Sequence, residues 1–237
     1  MPVLIIVGFI AIAAGAAYLS YYFKKKRREE LALMAKQLGL QYSSADVQGC
    51  LTLPFALLQK GDGRGTENVL WGSWQGMDLR EFDFWYYEES TDSEGHRTKT
   101  YYRFSCAATP IEAACAHLTL ERENLFTRMA DHLGLRDIEF ESADFNRAFN
   151  VKCKDKKFAN DMIDQRMMQW LVSAEEAFQF EASGNWMLCF SKKRAPNELI
   201  PLLGTLKQFH EQVPRVVYEL YGQGGQTPPA PPMPLAT

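Results

Sequence analysis

The opening of the chain constrains it most. Pro2 to Phe23 is a run of 22 residues with no charged side chain, PVLIIVGFIAIAAGAAYLSYYF, and Lys24, Lys25, Lys26, Arg27 and Arg28 follow at once. As a helix, at about 1.5 Å per residue, it is roughly 33 Å long and covers a bilayer core of about 30 Å. A helix also satisfies its own backbone groups, which lipid requires. The run is apolar on every face, so it does not suit a helix lying on a globular core. A cleaved signal peptide would carry cations before the run and small residues after it. Here the cations come after, and the run ends in Tyr18, Tyr21, Tyr22 and Phe23.

Basic residues stay on the cytoplasmic side of a membrane. The expectation is therefore a single-pass transmembrane helix at 1–23 in the cell (plasma) membrane, N-terminus outside and C-terminal domain cytoplasmic. The reversed topology is the alternative to exclude. Lys24, Lys25, Lys26, Arg27 and Arg28 are expected at anionic headgroups of the bilayer, at about 1 kcal/mol per basic residue near the surface. Gly8, Ala11 and Gly15 fall on one helical face, and small residues let backbones approach, so a homodimer through them is a further expectation.

The next segment, 24–39, reads as a basic juxtamembrane helix. Leu31, Met34 and Leu38 form an apolar stripe that suits docking on the domain, and Gly39 is placed to stop the helix. Residues 40–221 are expected to form one soluble α+β domain with a sub-boundary near 134–144. Residues 222–237, rich in Gly, Gln and Pro, lack the apolar content to fold.

Within the domain, the alternation of residues predicts strands at Leu40–Tyr42, Pro54–Leu58, Asn68–Trp74 and Met77–Tyr87. The last two are joined by a hairpin turn at Gln75-Gly76. Phe82, Phe84 and Tyr86 then share a face with Arg80, while Leu79, Glu81, Asp83 and Trp85 share the other. A polar connection, Glu88–Lys99, leads to strands Thr100–Ala108 and Ala114–Leu120. A helix over Arg122–Leu133, closed by Gly134, precedes strands Ile138–Glu141 and Phe145–Cys153. Asp155 is placed to cap a helix Lys156–Val172. A hairpin Ala177–Phe190 turning at Gly184-Asn185 and helices over Glu198–Gln212 and Arg215–Tyr221 complete the reading. Antiparallel meanders and hairpins with interspersed helices make the fold class α+β.

The chemistry in the sequence is sparse. The five basic residues Lys24 to Arg28 contribute +5 to a net charge of −3, so the rest of the chain sums to −8. An acidic domain is a poor partner for nucleic acid. Cys50, Cys106, Cys115, Cys153 and Cys189 are odd in number and scattered, which fits buried reduced thiols better than a disulfide framework. Gly61-Asp62-Gly63-Arg64-Gly65 has neither the P-loop nor the dinucleotide-fold spacing and reads as a loop. His96, His117, His132 and His210 show no metal-ligand spacing, and no cofactor is expected. Cys115 and His117 share a strand face without a third group to complete a catalytic arrangement. Glu139 and Glu141 suit the solvated side of an edge strand. Lys152, Lys154, Lys156 and Lys157 are a basic patch able to meet an anion or an acidic partner. Trp71, Trp74, Phe82, Phe84, Trp85, Tyr86 and Tyr87 read as the core of the meander.

Phe145, Phe149, Val151, Asp155, Met162, Met167 and Met168, followed by the FQFEASGNWMLCF segment at Phe178–Phe190, resemble an uncharacterised bacterial family of single-pass membrane proteins, a domain of unknown function. The resemblance covers about a quarter of the chain and rests on packing positions. It implies an N-terminal membrane helix joined to a soluble α+β region and supplies no catalytic residues. The expectation is a membrane-anchored, non-enzymatic binding or scaffolding module with another protein as partner. The alternative is a membrane-tethered hydrolase or small-ligand-binding domain whose site is built from dispersed residues.

Overall fold

The computed structural model describes residues 2–122, 135–174 and 178–222, the first nine of these by backbone alone. The helix expected at Arg122–Leu133, apart from Arg122 itself, its closing Gly134, His132 and the tail beyond Gly222 lie outside the described residues.

The apolar run 2–23 and the basic segment 24–38 are one continuous helix, α1 (Pro2–Leu38). No Gly or Pro interrupts the stretch from Ala16 to Leu38, so nothing there breaks the hydrogen-bond ladder. Gly39 ends it with φ +71°. The Gly39 N–H donates to the Lys36 carbonyl and the Leu40 N–H to the Ala35 carbonyl, the paired bonds of a Schellman stop. Of the expected stripe, Leu31 and Met34 are buried against the domain and Leu38 is half-buried; Ala35 is buried beside them. From Ala11 to Lys26 every residue is exposed. Among the described residues no helix is long and apolar enough to cross a membrane.

Among the described residues the sheet has seven strands, all paired antiparallel: β1 (Gln41–Ala45), β2 (Gly63–Trp74), β3 (Met77–Thr91), β4 (Arg97–Arg122), β5 (Arg136–Asp137), β6 (Phe149–Cys153) and β7 (Gln179–Lys192). Their order is β1-β2-β3-β4-β6-β5, with β7 along the other edge of β4. The β2–β3 hairpin turns at Gln75 (φ 50°) and Gly76 (φ 80°), as the sequence predicts, because both central residues of that turn need positive φ.

The structure corrects several local expectations. Pro54–Leu58 is not a strand: the segment from Cys50 to Gln59 holds two short 3-10 turns and covers one face of the sheet. Gly63 and Gly65 are not loop residues but the start of β2, opposite Tyr87 and Trp85. The polar stretch Glu88–Lys99 is largely strand, because β3 and β4 pair out to Thr91 and Arg97. β4 is one strand rather than two, and β7 is one strand rather than a hairpin. Gly184 (φ 58°) serves a bulge in which Pro110–Cys115 of β4 stands opposite only Trp186–Gly184 of β7. The bulge swaps side-chain parity: Phe178, Phe180 and Ala182 before it, and Met187 and Cys189 after it, all enter one core. Ile138–Glu141 is not a strand, and Phe145–Cys153 divides into α2 (Ala143–Ala148), capped by Ser142, and β6. Asp155 caps α3 (Lys156–Met162) as expected, but a second capping carboxylate, Asp164, starts a separate helix, α4 (Gln165–Ser173). The last two helices are α5 (Leu199–Gln212) and α6 (Arg215–Tyr221).

The sheet is buried on both faces. One face carries all the described α-helices over a core that includes Leu31, Leu79, Leu118, Phe158, Met167 and Leu206. The other is closed by the Cys50–Gln59 segment over Phe82, Phe84, Tyr86, Phe104, Leu188 and Phe190. The face assignment expected for β3 therefore holds.

Candidate functional site

Where α1 meets the sheet, the interface is ionic. Arg27 projects from α1 onto Asp83 of β3 through two bonds, Nε to Oδ2 at 2.7 Å and Nη2 to Oδ1 at 2.6 Å. Its remaining Nη1 donates to the Arg194 carbonyl at 2.7 Å. A guanidinium fork matches a carboxylate edge to edge, which fixes the helix in rotation as well as position. Asp83 also accepts from Asn68 Nδ2 and pairs with Lys193 Nζ at 3.2 Å. Tyr42 donates in turn to Asn68 Oδ1. Arg27 is 12% and Asp83 3% exposed at the side chain, so the pair is shielded from solvent and salt. Burial opposes the Arg27 charge, but the hydrogen bond and charge of Asp83 outweigh it and raise the guanidinium above its ordinary pKa.

Beside this pair lies Glu81, fully buried on the same face of β3. Neither carboxyl oxygen has a hydrogen-bond partner. Burial first, and the neighbouring Asp83 charge second, push its pKa well above the usual carboxylate range. Folding therefore favours its neutral, protonated form. The sequence signal was present, since Glu81 and Asp83 share a face with Leu79, but the partner on α1 comes from 56 residues away.

The five basic residues after the apolar run thus divide. Lys24, Lys25, Lys26 and Arg28 are exposed, with Lys25 and Lys26 near Glu29 and Glu30 one turn on. Arg27 is committed to the domain. The second basic patch also divides: Lys154, Lys156 and Lys157 are exposed, whereas Lys152 is 7% exposed within β6, opposite Thr119. Lys157 is paired with Asp161 at 2.7 Å. Ala11 and Gly15 are exposed on α1; the side-chain surroundings of Gly8 lie outside the described residues.

Cys115 and His117 do not form a pair. The irregularity in β4 between Cys115 and Leu118 puts Cys115 in the helix-side core, where burial pushes its thiol up to about 12. His117 Nε2 instead faces Glu181 Oε2 on β7 at 3.5 Å. Glu181 is fully buried and accepts from the N–H groups of Ala56 and Leu57 at 2.7 and 3.0 Å, pinning the covering segment to the sheet. Glu139 and Glu141 are exposed, as is His96. All five cysteines are buried and unbridged. Among the described residues no group of three or more His, Cys, Asp or Glu is placed to hold a metal ion.

A groove of about 350 Å³ runs beside the docked part of α1, lined by Leu33, Met34, Leu38, Pro196 and Ile200 with Glu30 and Gln37 at its rim.

No family model and no curated protein matches the sequence. The chain is similar to a solved protein, the mycobacterial trehalose monomycolate transport factor A, TtfA, with a TM-score of 0.60 at 16% identity over 84% of this chain and 98% of that one. At that identity the likeness is one of fold alone.

Proposed function

We propose that the chain is a non-enzymatic scaffolding module, anchored by the Pro2–Phe23 part of α1 at the inner face of the cytoplasmic membrane, that serves the transport of an envelope lipid. The observation that carries this reading is the continuity of α1. An apolar helix with large side chains exposed on it, Ile12 at 71%, Tyr18 at 68% and Phe23 at 62%, runs without a break into a segment locked to the sheet by Arg27 and Asp83. A run of exposed apolar surface of that size has no place in water and a natural one in lipid. The lock then holds the domain at a set position beneath its anchor, which suits a part that positions partners. Transport enters from the fold likeness to TtfA, and tethering raises the encounter rate with other membrane proteins through effective concentration.

The test is capture from detergent-solubilised membranes of the host, using the full chain and a version lacking residues 2–23. An integral membrane transporter retained by the full chain alone supports the reading. Retention of none, or equal retention by the truncated form, removes it. An engineered cysteine at exposed Val47 that an impermeant reagent labels in intact cells would place the domain outside instead.

A further inference from the structure

From the Arg27–Asp83 contact, two parts of the molecule run the same way. Leu40, just past the end of α1, packs at Gly72, whereas Arg27 lies at Asp83, so α1 followed towards its N-terminus passes from the Gly72–Leu79 level to the Glu67–Asp83 level. β3 runs in that direction too. Beyond Asp83 it continues for eight residues to Thr91, about 26 Å at ~3.3 Å each, paired with the start of β4. Beyond Arg27 the apolar stretch of α1 begins within about 6 Å, at Phe23. A bilayer entered there meets the hairpin level with Trp85, itself about 7 Å past Asp83. The outer hairpin holds Glu88, Glu89, Asp92, Glu94, Arg97 and Lys99 and does not enter hydrocarbon. It stays at the surface, which a tilted α1 allows when the hairpin diverges from α1 by about 50° or more, since tilts up to about 40° are ordinary.

The side of the hairpin that meets the surface is set by Asp83, which faces α1. On that face Trp85, Tyr87, Glu89 and Thr91 follow at the two-residue period, opposite Arg103, Tyr101, Lys99 and Arg97. Three cations thus stand against one carboxylate, in a chain that is otherwise acidic. The opposite face pairs Tyr86 with Tyr102 and with Arg64 of β2, Glu88 with Thr100 and Ser90 with Thr98, and carries one cation and one carboxylate. The rings on the α1 side form a plate: Trp85 and Tyr87 are stacked at 6.5 Å, and Tyr101 lies 5.4 Å from Tyr87 and 6.2 Å from Trp85. Gly63 and Gly65 make room beneath it, since a Cβ there would meet Tyr87 at 2.4 Å and Trp85 at 2.9 Å. Lys99 and Arg103 sit over Tyr87 and Tyr101 at 4.2 and 5.2 Å. Trp and Tyr with Lys and Arg are what the headgroup layer of an anionic leaflet selects.

We propose that the β3–β4 hairpin is a second membrane contact, its Trp85, Tyr87 and Tyr101 plate and its Arg97, Lys99 and Arg103 cations lying on anionic headgroups beside a tilted α1. This rests on the reading of α1 as the anchor.

The full chain, reconstituted in phosphatidylcholine–phosphatidylglycerol vesicles with acyl chains brominated near the headgroup, tests it by tryptophan quenching. The Trp85 contribution is the difference between the wild type and W85F. In vesicles that carry the protein through flotation and alkaline washing, that contribution falls by about half or more, since interfacial rings sit within reach of the bromines. The charge-reversed R97E/K99E/R103E chain still floats and loses most of the quenching. Firm flotation with an unquenched Trp85 overturns the hairpin contact and leaves the anchor standing. Failure of the full chain to float overturns the anchor, and the hairpin contact with it.

Discussion

Glu81 and Glu181 are both fully buried on one sheet, yet the protein treats them in opposite ways. Glu181 faces the closed side and accepts two backbone N–H bonds from Ala56 and Leu57, so its carboxylate holds the covering segment in place. Glu81 faces α1 and has no hydrogen bond, and its neighbour Asp83 takes the available partners, Arg27, Asn68 and Lys193. A buried carboxylate that is hydrogen-bonded stabilises; one left bare costs free energy and shifts its proton affinity instead. The closed face is therefore built for permanence. The α1 face uses its cations to fix a helix and leaves a buried carboxyl without a hydrogen bond under that helix.

Removing the anchor of the ionic side breaks this contrast most strongly. Asp83→Ala strips the shielded Arg27, and the more exposed Lys193, of their shared carboxylate and is expected to cost about 3–5 kcal/mol, read as a lowered urea midpoint of the domain. A loss under about 1 kcal/mol would mean that α1 is held by its apolar stripe alone. Next in size, Glu181→Ala leaves two buried N–H groups unmade and is expected to cost about 2–4 kcal/mol, with faster amide exchange confined to the segment around Ala56.

Glu81→Gln acts in the other direction and by less. A carboxyl whose pKa is raised by folding binds more protons in the folded state. The stability it leaves in place is therefore full below the unfolded carboxylate pKa, near ~4.3, and declines as pH rises towards the folded value. The variant removes that decline, so it is expected to be more stable than the wild type at neutral pH and equal to it near pH ~4, in paired denaturation curves. A variant less stable at neutral pH would show that the Glu81 charge is used. Smallest of all, His117→Asn is expected to change stability by less than about 1 kcal/mol, because Glu181 keeps its two backbone donors without the imidazole. A larger cost would make His117 a third support of the covering segment.

Part of this architecture is legible in sequence because it depends on local pattern. The Gln75-Gly76 turn, the alternation along β3, the stop at Gly39 and the Asp155 cap each follow from a few neighbouring residues. The misreadings share one cause: the same residue types serve two structures. Gly184 suits a turn and a bulge equally, and only a partner strand long enough to flank both sides decides for the bulge. Gly63 and Gly65 look like a loop until Tyr87 and Trp85 lie across them. Asp164, buried in a helical pattern, splits one expected helix into two. The Arg27–Asp83 lock is beyond sequence reading because the run Lys24–Arg28 gives no sign that one of five cations points into the domain while the others stay exposed.

The central claim is that α1 is at once a bilayer anchor and a packed element of the domain. Alkaline extraction of host membranes, followed by high-speed sedimentation and determination of the N-terminus, tests it most directly. The account predicts the intact chain, with Pro2–Phe23 retained, in the pellet. Intact chain in the detergent-free supernatant, or a mature form beginning after Phe23, would contradict it.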